Sequence, residues 1–572
     1  MDIRVVNNNA YSDVDIHLSS GENNVLIYDL CFHTENPCSP ERITVEFHIP
    51  YIDAYSLWNS HCGLVRNVLP DWRPEHQVSK SRLASGVPIQ SVISQDGGNV
   101  FTLSVTDAKT PIEISTATED VDKSCLCRIV FFTIPVGQIS EYKTQIIIDK
   151  RKIPFYEVIS EAAKRMRLGE QYVPDDARMP MYSTWYNFHQ DITDDALISE
   201  CKRAYELGMR SIIIDDGWQT ENKNGGGDYA NCGDWRVCKS KIKDMRELVD
   251  KIHNIGMKVI LWYSVPYVGK HSEAWERFRG KYLDSEEKEW NCLDPRFPEV
   301  REYLTGIYER AALEWDLDGF KLDFIDAFEL TEYSDKSGTG RDFESLEDAI
   351  ECLLNDITAK LKRINPDVLI EFRQTYIGPV VTQYGNMIRV SDCALDAFIN
   401  RVSVLDLRMS SGRAAVHSDM LIWNHKESSE SVAKQLIAVL FGVPQISVKL
   451  SEITAEHQKT LAFWLDFWRK HSKTLLDGKL KIYNPEANYS MAESELDGEK
   501  ICVCYSRNIV EHPGGKLIAV NGTGEKFIAV RANGKFNYTV WNCKGEELEH
   551  GTKVIEDIAV FDVPESGLIA FT

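Results

Sequence analysis

A chain of 572 residues is longer than one hydrophobic core usually organises, so two or three domains are expected. Its 64 Lys and Arg stand against 87 Asp and Glu, and the net charge of -23 repels nucleic-acid phosphates and anionic membranes, which argues against both as partners. Residues 1–20 show no basic cap before an apolar run, no later stretch has the length of a membrane span, and the 14 Cys are scattered, so a cytoplasmic protein with free thiols, Cys232 and Cys238 among them, is expected.

Up to about residue 150 the chain reads as short alternating runs, Asn24 to Phe32, Arg42 to Ile49, Val100 to Val105, Arg128 to Ile134 and Thr144 to Ile148, separated by Gly, Pro, Asn and Asp. A period of two in short runs marks half-buried strands, and a β-sandwich is predicted. Phe155 to Met166 has helical spacing, and the Pro174 to Pro180 stretch interrupts it, placing a boundary there. The predicted domains are 1–175, 176–477 and 478–572.

From Met181 the rhythm changes. Eight short apolar runs, MYSTWY, RSIIIDD, MKVILWYS, GFKLDFI, VLIEFR, MIRVSD, GRAAVHSD and QISVKL, alternate with amphipathic segments at Asp194 to Leu207, Asp244 to Ile255, Glu299 to Trp315, Leu346 to Ile364, Ile377 to Tyr384, Ala394 to Met409, Ser431 to Phe441 and Ala455 to Leu475. Eightfold strand-then-helix alternation predicts an α/β fold, a closed parallel (β/α)8 barrel. After Gly478 the short strands return (KLKIY, KICVCY, KLIAV, KFIAV, NYTVW, IAVFD, GLIAF), predicting a small all-β domain.

Reactive groups of such barrels stand at the C-terminal strand ends. Here those ends carry Trp185 and Tyr186, Asp215, Asp216 and Trp218, Trp262 and Tyr263, Lys321 with Asp323 and Asp326, Glu371 and Arg373, Arg389 with Asp392, and His417 with Asp419. Several acids without a His-x-His pair are poorly suited to a dinuclear transition-metal site, and no metal or cofactor is expected. Two carboxylates on different strands among cations and aromatic rings suit glycosidic cleavage, where one acid protonates the leaving oxygen and the other stabilises an oxocarbenium-like centre. Asp215 and Asp216 offer acceptors to the hydroxyls of a neutral sugar. Duller roles stand beside these: Asp326 as a cap or ion-pair partner, Trp185 and Trp262 as a lid on the barrel top, Lys321 as a Schiff-base amine.

Asp215-Asp216-Gly217-Trp218, Gly233-Asp234-Trp235, Gly256-Met257-Lys258 leading to Leu261-Trp262, and Lys321-Leu322-Asp323-Phe324 follow one another in the chain. This ordered set resembles the α-galactosidases of glycoside hydrolase clan D, especially family 36 with its raffinose-synthase-like relatives, across nearly the whole barrel. The resemblance implies a retaining exo-α-glycosidase that removes terminal galactose, or a C2-modified relative, from an α-linked oligosaccharide or glycoconjugate. It implies Asp323 as nucleophile and Asp392 as acid/base. It further implies Asp215 and Asp216 on O4 and O6, Lys321 on O3 or O4, and Trp58, Trp185 and Trp262 as walls, with Trp218, Trp235, Arg373, Arg389, His417 and Asp419 completing the binding set. Where family members often carry Cys and Gly near the sugar's C2, this chain has Glu371-Phe372-Arg373-Gln374-Thr375. Arg373 is expected either to pair with Glu371 or to aim its donors at the C2 substituent. Galactosyl transfer and non-catalytic sugar binding remain alternative readings, and a homo-oligomer stays open.

Overall fold

The computed structural model describes the chain apart from residues 1–2, 8–12, 51–52, 62, 74–77, 168, 170, 224–228, 335–338 and 376–377. The N-terminal region is a sandwich of one five-stranded and one six-stranded sheet, both antiparallel. Along Ile43–Ile49 the side chains of Val45, Phe47 and Ile49 point inward, and they meet Leu30, Phe32 and Ile146 of the opposite sheet in one core. The expected strand Arg128 to Ile134 forms as Ser124–Phe131 instead, because Phe132 turns the chain with a φ of 58°. Helix Phe155–Arg165 then buries Phe155, Val158, Ile159, Ala162 and Ala163 on a single face.

All eight expected barrel strands form. They are β1 (Met181–Ser183), β2 (Ser211–Ile214), β3 (Lys258–Ser264), β4 (Gly319–Asp323), β5 (Leu369–Arg373), β6 (Met387–Arg389), β7 (Ala415–His417) and β8 (Gln445–Ile446). Parallel pairing runs β7-β6-β5-β4-β3-β2-β1-β8, and the single bridges His417 to Val443 and Leu421 to Ile446 bring the two ends together, so the barrel is nearly closed. The flanking helices are α1 (Asp194–Glu206), α2 (Met245–Ile255), α3 (Pro298–Trp315), α4 (Leu346–Ile364), α5 (Ala397–Ser410), α6 (Ser429–Ala438) and α7 (Ala455–Asp477). Local chemistry sets their ends: the Asp244 side chain accepts from Glu247 N, and Gly256, with a φ of 96°, closes α2 where an added Cβ would stand 2.8 Å from the Tyr205 ring.

The helix expected after β5 is a single 3-10 turn, Val381–Tyr384, and Ile377 lies outside the described residues. In the C-terminal domain KFIAV and NYTVW belong to one strand, Phe527–Trp541, paired along its length with Glu547–Asp562. Asn533-Gly534 resembles a turn signal, yet Gly534 takes a positive φ of 143° within the ladder and the strand runs through. No helix among the described residues is long and apolar enough to cross a membrane, and Cys232 and Cys238 are buried thiols outside any disulfide.

The three regions meet at one carboxylate in the second half of α5. Asp406 accepts from Trp58 Nε1 at 2.8 Å, from Arg66 Nη2 at 2.8 Å, and from the Tyr489 hydroxyl of the C-terminal domain. This corrects the expectation for Trp58. Its ring is buried at the junction of the domains, beside a helix that descends away from the strand ends, and it does not wall the mouth.

Candidate active site

Asp323 is the last residue of β4, and Phe324 after it adopts a φ of 63°, which bends the chain so that its own N–H donates to Asp323 Oδ1 at 2.8 Å. The two neighbouring strands complete the cradle. From β3, Trp262 points inward and donates Nε1 to Oδ2 at 2.9 Å; from β5, Arg373 donates Nε to Oδ1 at 2.6 Å; Lys321 Nζ stands 4.0 Å from Oδ2. Burial favours the neutral acid, but Arg373, Lys321 and Arg389, with the Trp262 bond, outweigh it and hold the carboxyl well below the usual range. Asp323 is therefore a buried, ionised group with fixed orientation.

The Glu371–Arg373 pair does not form. Two residues of strand advance the chain about 6–7 Å, so these side chains share a face but reach different layers. Arg373 rises to Asp323, lies over the Phe324 ring at 4.9 Å and donates Nη1 to Gln374 O at 2.9 Å. Glu371 stays fully buried below, accepts from Gln445 Nε2 at 2.5 Å and lies 3.7 Å from Arg389 Nε.

Asp392 follows β6 by three residues and offers a contrast: its side chain is 57% exposed where that of Asp323 is 7% exposed. Arg389 anchors it at 2.9 Å, and the same guanidinium is fixed from behind by Asp419 at 2.5 Å. Asp419 also accepts from the Tyr186 hydroxyl at 2.9 Å and Cys393 N at 2.7 Å, while burial raises its pKa against the pull of Arg389. Burial likewise opposes ionisation of Asp392, but Arg389, then Lys321 and Arg373, bring it below its ordinary value. These are the three cations that hold Asp323 ionised, so the two acids share one electrostatic field.

At the end of β2, Asp215 receives Lys321 Nζ at 2.6 Å and Asp216 receives Gln190 Nε2 at 2.8 Å and Gln219 Nε2 at 2.6 Å. Burial pushes Asp216 up to about 6, against the two amides. Its unfolded carboxyl titrates near about 3.9, so the ionised buried form is unfavourable above pH 6 and that cost vanishes below about pH 4. Asp216→Asn is accordingly expected to stabilise the fold by up to about 3 kcal/mol at pH 7.5, with one amide flipping to match, and by close to nothing from this source at pH 4. Urea midpoints at the two pH values test this; an equal difference at both would contradict it.

Several expected sugar contacts stand elsewhere. The Trp218 ring is enclosed by Trp235, Tyr263 and Trp315, and its N–H goes to the Trp262 carbonyl at 2.9 Å, so it backs the wall without lining it. Trp235 packs edge-on against Trp262 at 6.0 Å, and its uncovered side faces the barrel flank. Asp234 caps the short helix Glu273–Arg277 through two bonds of 2.9 Å. His417 is sealed inside, one ring nitrogen 2.7 Å from Ala177 O and the other 3.1 Å from Gln445 Nε2, and burial pushes it down to about 4. Arg389 and Asp419 hold Asp392 from beneath. Trp185, half-buried, stacks near His189 at 5.0 Å beside the mouth.

Sequence reasoning missed Gln190 and Gln219, and also an aromatic group formed by Tyr229, Tyr267 and Phe324 with ring separations of 4.9 to 5.3 Å. Gln219 closes the Asp215 to Trp218 run and had a signal there; Gln190 and Tyr229 lie in loops with none. Among the described residues two sets of His and carboxylates lie within metal-ligand reach, His48 with Glu119 and Asp122, and Asp250 with His253 and Asp316, both outside the mouth.

A family model described as Melibiase matches residues 161–478. A bifunctional α-galactosidase/sucrose kinase of Mediterraneibacter gnavus is 27% identical over 99 residues, which is 17% of this chain and 10% of that protein. The chain thus aligns with only a tenth of that curated relative's length. Among solved structures, the α-galactosidase of Lactobacillus brevis superposes with a TM-score of 0.64 at 15% identity, covering 100% of this chain and 84% of that one. A family 36 α-galactosidase of Geobacillus stearothermophilus, solved in complex with stachyose, gives 0.63 at 13% identity over 96% and 79%.

Proposed function

The chain belongs to the melibiase family, and from that premise we propose that it is a retaining exo-α-glycosidase acting on terminal α-linked galactose or a C2-modified relative. The observation that carries this is the pair Asp323 and Asp392, one buried and one exposed, within reach of the same three cations. Asp323 attacks the anomeric carbon while Asp392 delivers a proton to the departing oxygen; Asp392 then takes a proton from the water that resolves the glycosyl-Asp323 ester. Asp215, Asp216 and Lys321 take the sugar's hydroxyls, and Trp262 faces its ring. The Geobacillus relative holds stachyose, so α-linked oligosaccharides are the proposed substrates.

Arg389 lowers the pKa of Asp392, which sets a requirement on the acid role: sugar binding must weaken that hold or hydrolysis of poor leaving groups must favour acidic pH. The bond between Arg373 and Asp323 supports a role for this guanidinium near the reacting carbon, where the C2 substituent is one of its neighbours. A screen of aryl α-glycosides varied at C2, C4 and C6, scored for hydrolysis and transfer, tests the reading. The expected winner is an α-galactoside or a C2 variant of it, with loss at C4 epimers of at least about 10²-fold, the scale of stranding buried polar partners. Equal rates on gluco and galacto substrates would overturn it.

A further inference from the structure

The barrel flank holds a second cavity, separate from the mouth, of about 780 Å3, within the range of small-molecule sites. It opens between α3 and the segment joining β2 to α2. On β3 successive side chains alternate, so that Trp262 points inward and Tyr263 outward beneath α3, 5.1 Å from the Tyr308 ring. Tyr303, Arg310 and Trp315 lie along one face of α3 and line the groove, and Trp235 and Arg277 line it from the other side.

Three observations describe what this space would hold. Tyr263 is fully buried and its hydroxyl has no hydrogen-bond partner among the described residues. Burial keeps that hydroxyl protonated, Tyr308 adding to the effect and Arg310 opposing it. The carboxylates nearby are already engaged: Asp234 with two helix N–H groups, Glu273 with Arg236 at 2.8 and 2.6 Å. Among the described residues Arg277 and Arg310 form no ion pair, Arg277 lying over the Tyr303 ring at 4.8 Å, and Glu314 is the remaining acid on the lining.

Flat indole walls suit the apolar face of a sugar ring, and guanidinium forks suit a phosphate or carboxylate. We propose that this groove is a binding site for an anionic sugar, with the ring against the indoles of its lining, the anion on Arg277 and Arg310, and the Tyr263 hydroxyl donating to the ligand. The wall also touches the mouth through consecutive ring contacts, Trp315 to Trp218 at 5.7 Å, Trp218 to Trp235 at 5.9 Å and Trp235 to Trp262 at 6.0 Å, so intrinsic fluorescence reports occupancy.

The full chain is titrated with glucose 6-phosphate, glucuronate, glucose and inorganic phosphate, by calorimetry and tryptophan fluorescence. At least one of the two anionic sugars is expected to bind with one-to-one stoichiometry, at least about tenfold tighter than glucose or phosphate, and the tighter of the two names the anion as phosphate or carboxylate. The Arg277→Ala/Arg310→Ala double variant is expected to lose at least about tenfold in affinity, and Tyr263→Phe, which keeps the ring, a few fold. Asp323→Asn, altered only in the mouth, should bind as the wild type does. Equal affinity for glucose and its anionic forms, or binding unchanged in the arginine double variant, would overturn the assignment.

Discussion

Asp323→Ala is expected to lose at least about 10⁴-fold in kcat on every α-glycoside, whereas Asp392→Ala should lose comparably only where the leaving group is poor. The reason lies in what each carboxylate supplies. In the proposed mechanism Asp323, gripped by Arg373, Trp262 and the Phe324 N–H, forms the covalent bond. Asp392, exposed and tethered by Arg389, has in the proposed mechanism the task of exchanging protons with a departing group and then with water. A substrate such as a dinitrophenyl α-galactoside needs no proton to depart, so the Asp392 variant should release a burst of phenol and then stall, because the second step lacks its base. Burst kinetics on activated and natural substrates, with an NMR time course for the first-formed anomer, provide the check. The α-anomer is expected first; a β-anomer first, or the same proportional loss for both variants on both substrate types, would show the roles misassigned.

Arg373→Ala is expected to lower kcat/KM by about one to two orders of magnitude, the worth of a hydrogen bond to a charged group, and to move the acidic limb of the pH profile upward. The sign follows from the direction of the Asp323 shift. Its folded pKa is depressed, burial being outweighed chiefly by Arg373, so the ionised nucleophile survives to low pH in the wild type. Without Arg373 the desolvation of Asp323 is less opposed, its pKa rises, and activity should fall earlier as pH decreases. Stability should follow the same linkage: the contribution of this carboxylate is present above its unfolded pKa of about 3.9 and lost as pH falls through the folded value, and the variant forfeits part of it. Arg373→Lys retains the charge without the planar fork and should restore the limb more fully than the rate. An unchanged acidic limb in Arg373→Ala, with KM alone altered, would place Arg373 on the substrate and not on the nucleophile.

Strand and helix periodicity carried the architecture. MYSTWY, RSIIIDD, MKVILWYS and the five runs after them are each short, apolar and bounded, and a hydrogen-bonded parallel barrel is the arrangement in which all eight can bury both faces. The candidates at strand ends were legible for the same reason: position on a strand decides which end a residue occupies, and Lys321 stands 2.6 Å from Asp215 and 4.0 Å from Asp323 at one mouth. Family membership rests on this same region, residues 161–478.

What periodicity could not specify is which neighbour each polar group takes. Glu371 and Arg373 are two apart in sequence, which left a pair as one of two open readings, but the strand's rise separates their layers, and barrel curvature brings Asp323 to Arg373 and Gln445 to Glu371. The family resemblance implied Trp218 and Trp235 as sugar contacts, yet whether a ring lines a mouth or backs it depends on packing from Tyr263 and Trp315, which come from other elements. Trp58 was expected at the mouth from the resemblance alone, but its partner Asp406 lies 348 residues away on α5. Local pattern specifies backbone geometry because that geometry is set by nearest neighbours in the chain; side-chain partnership is set by distances across the fold, and those exist only once the strands have closed.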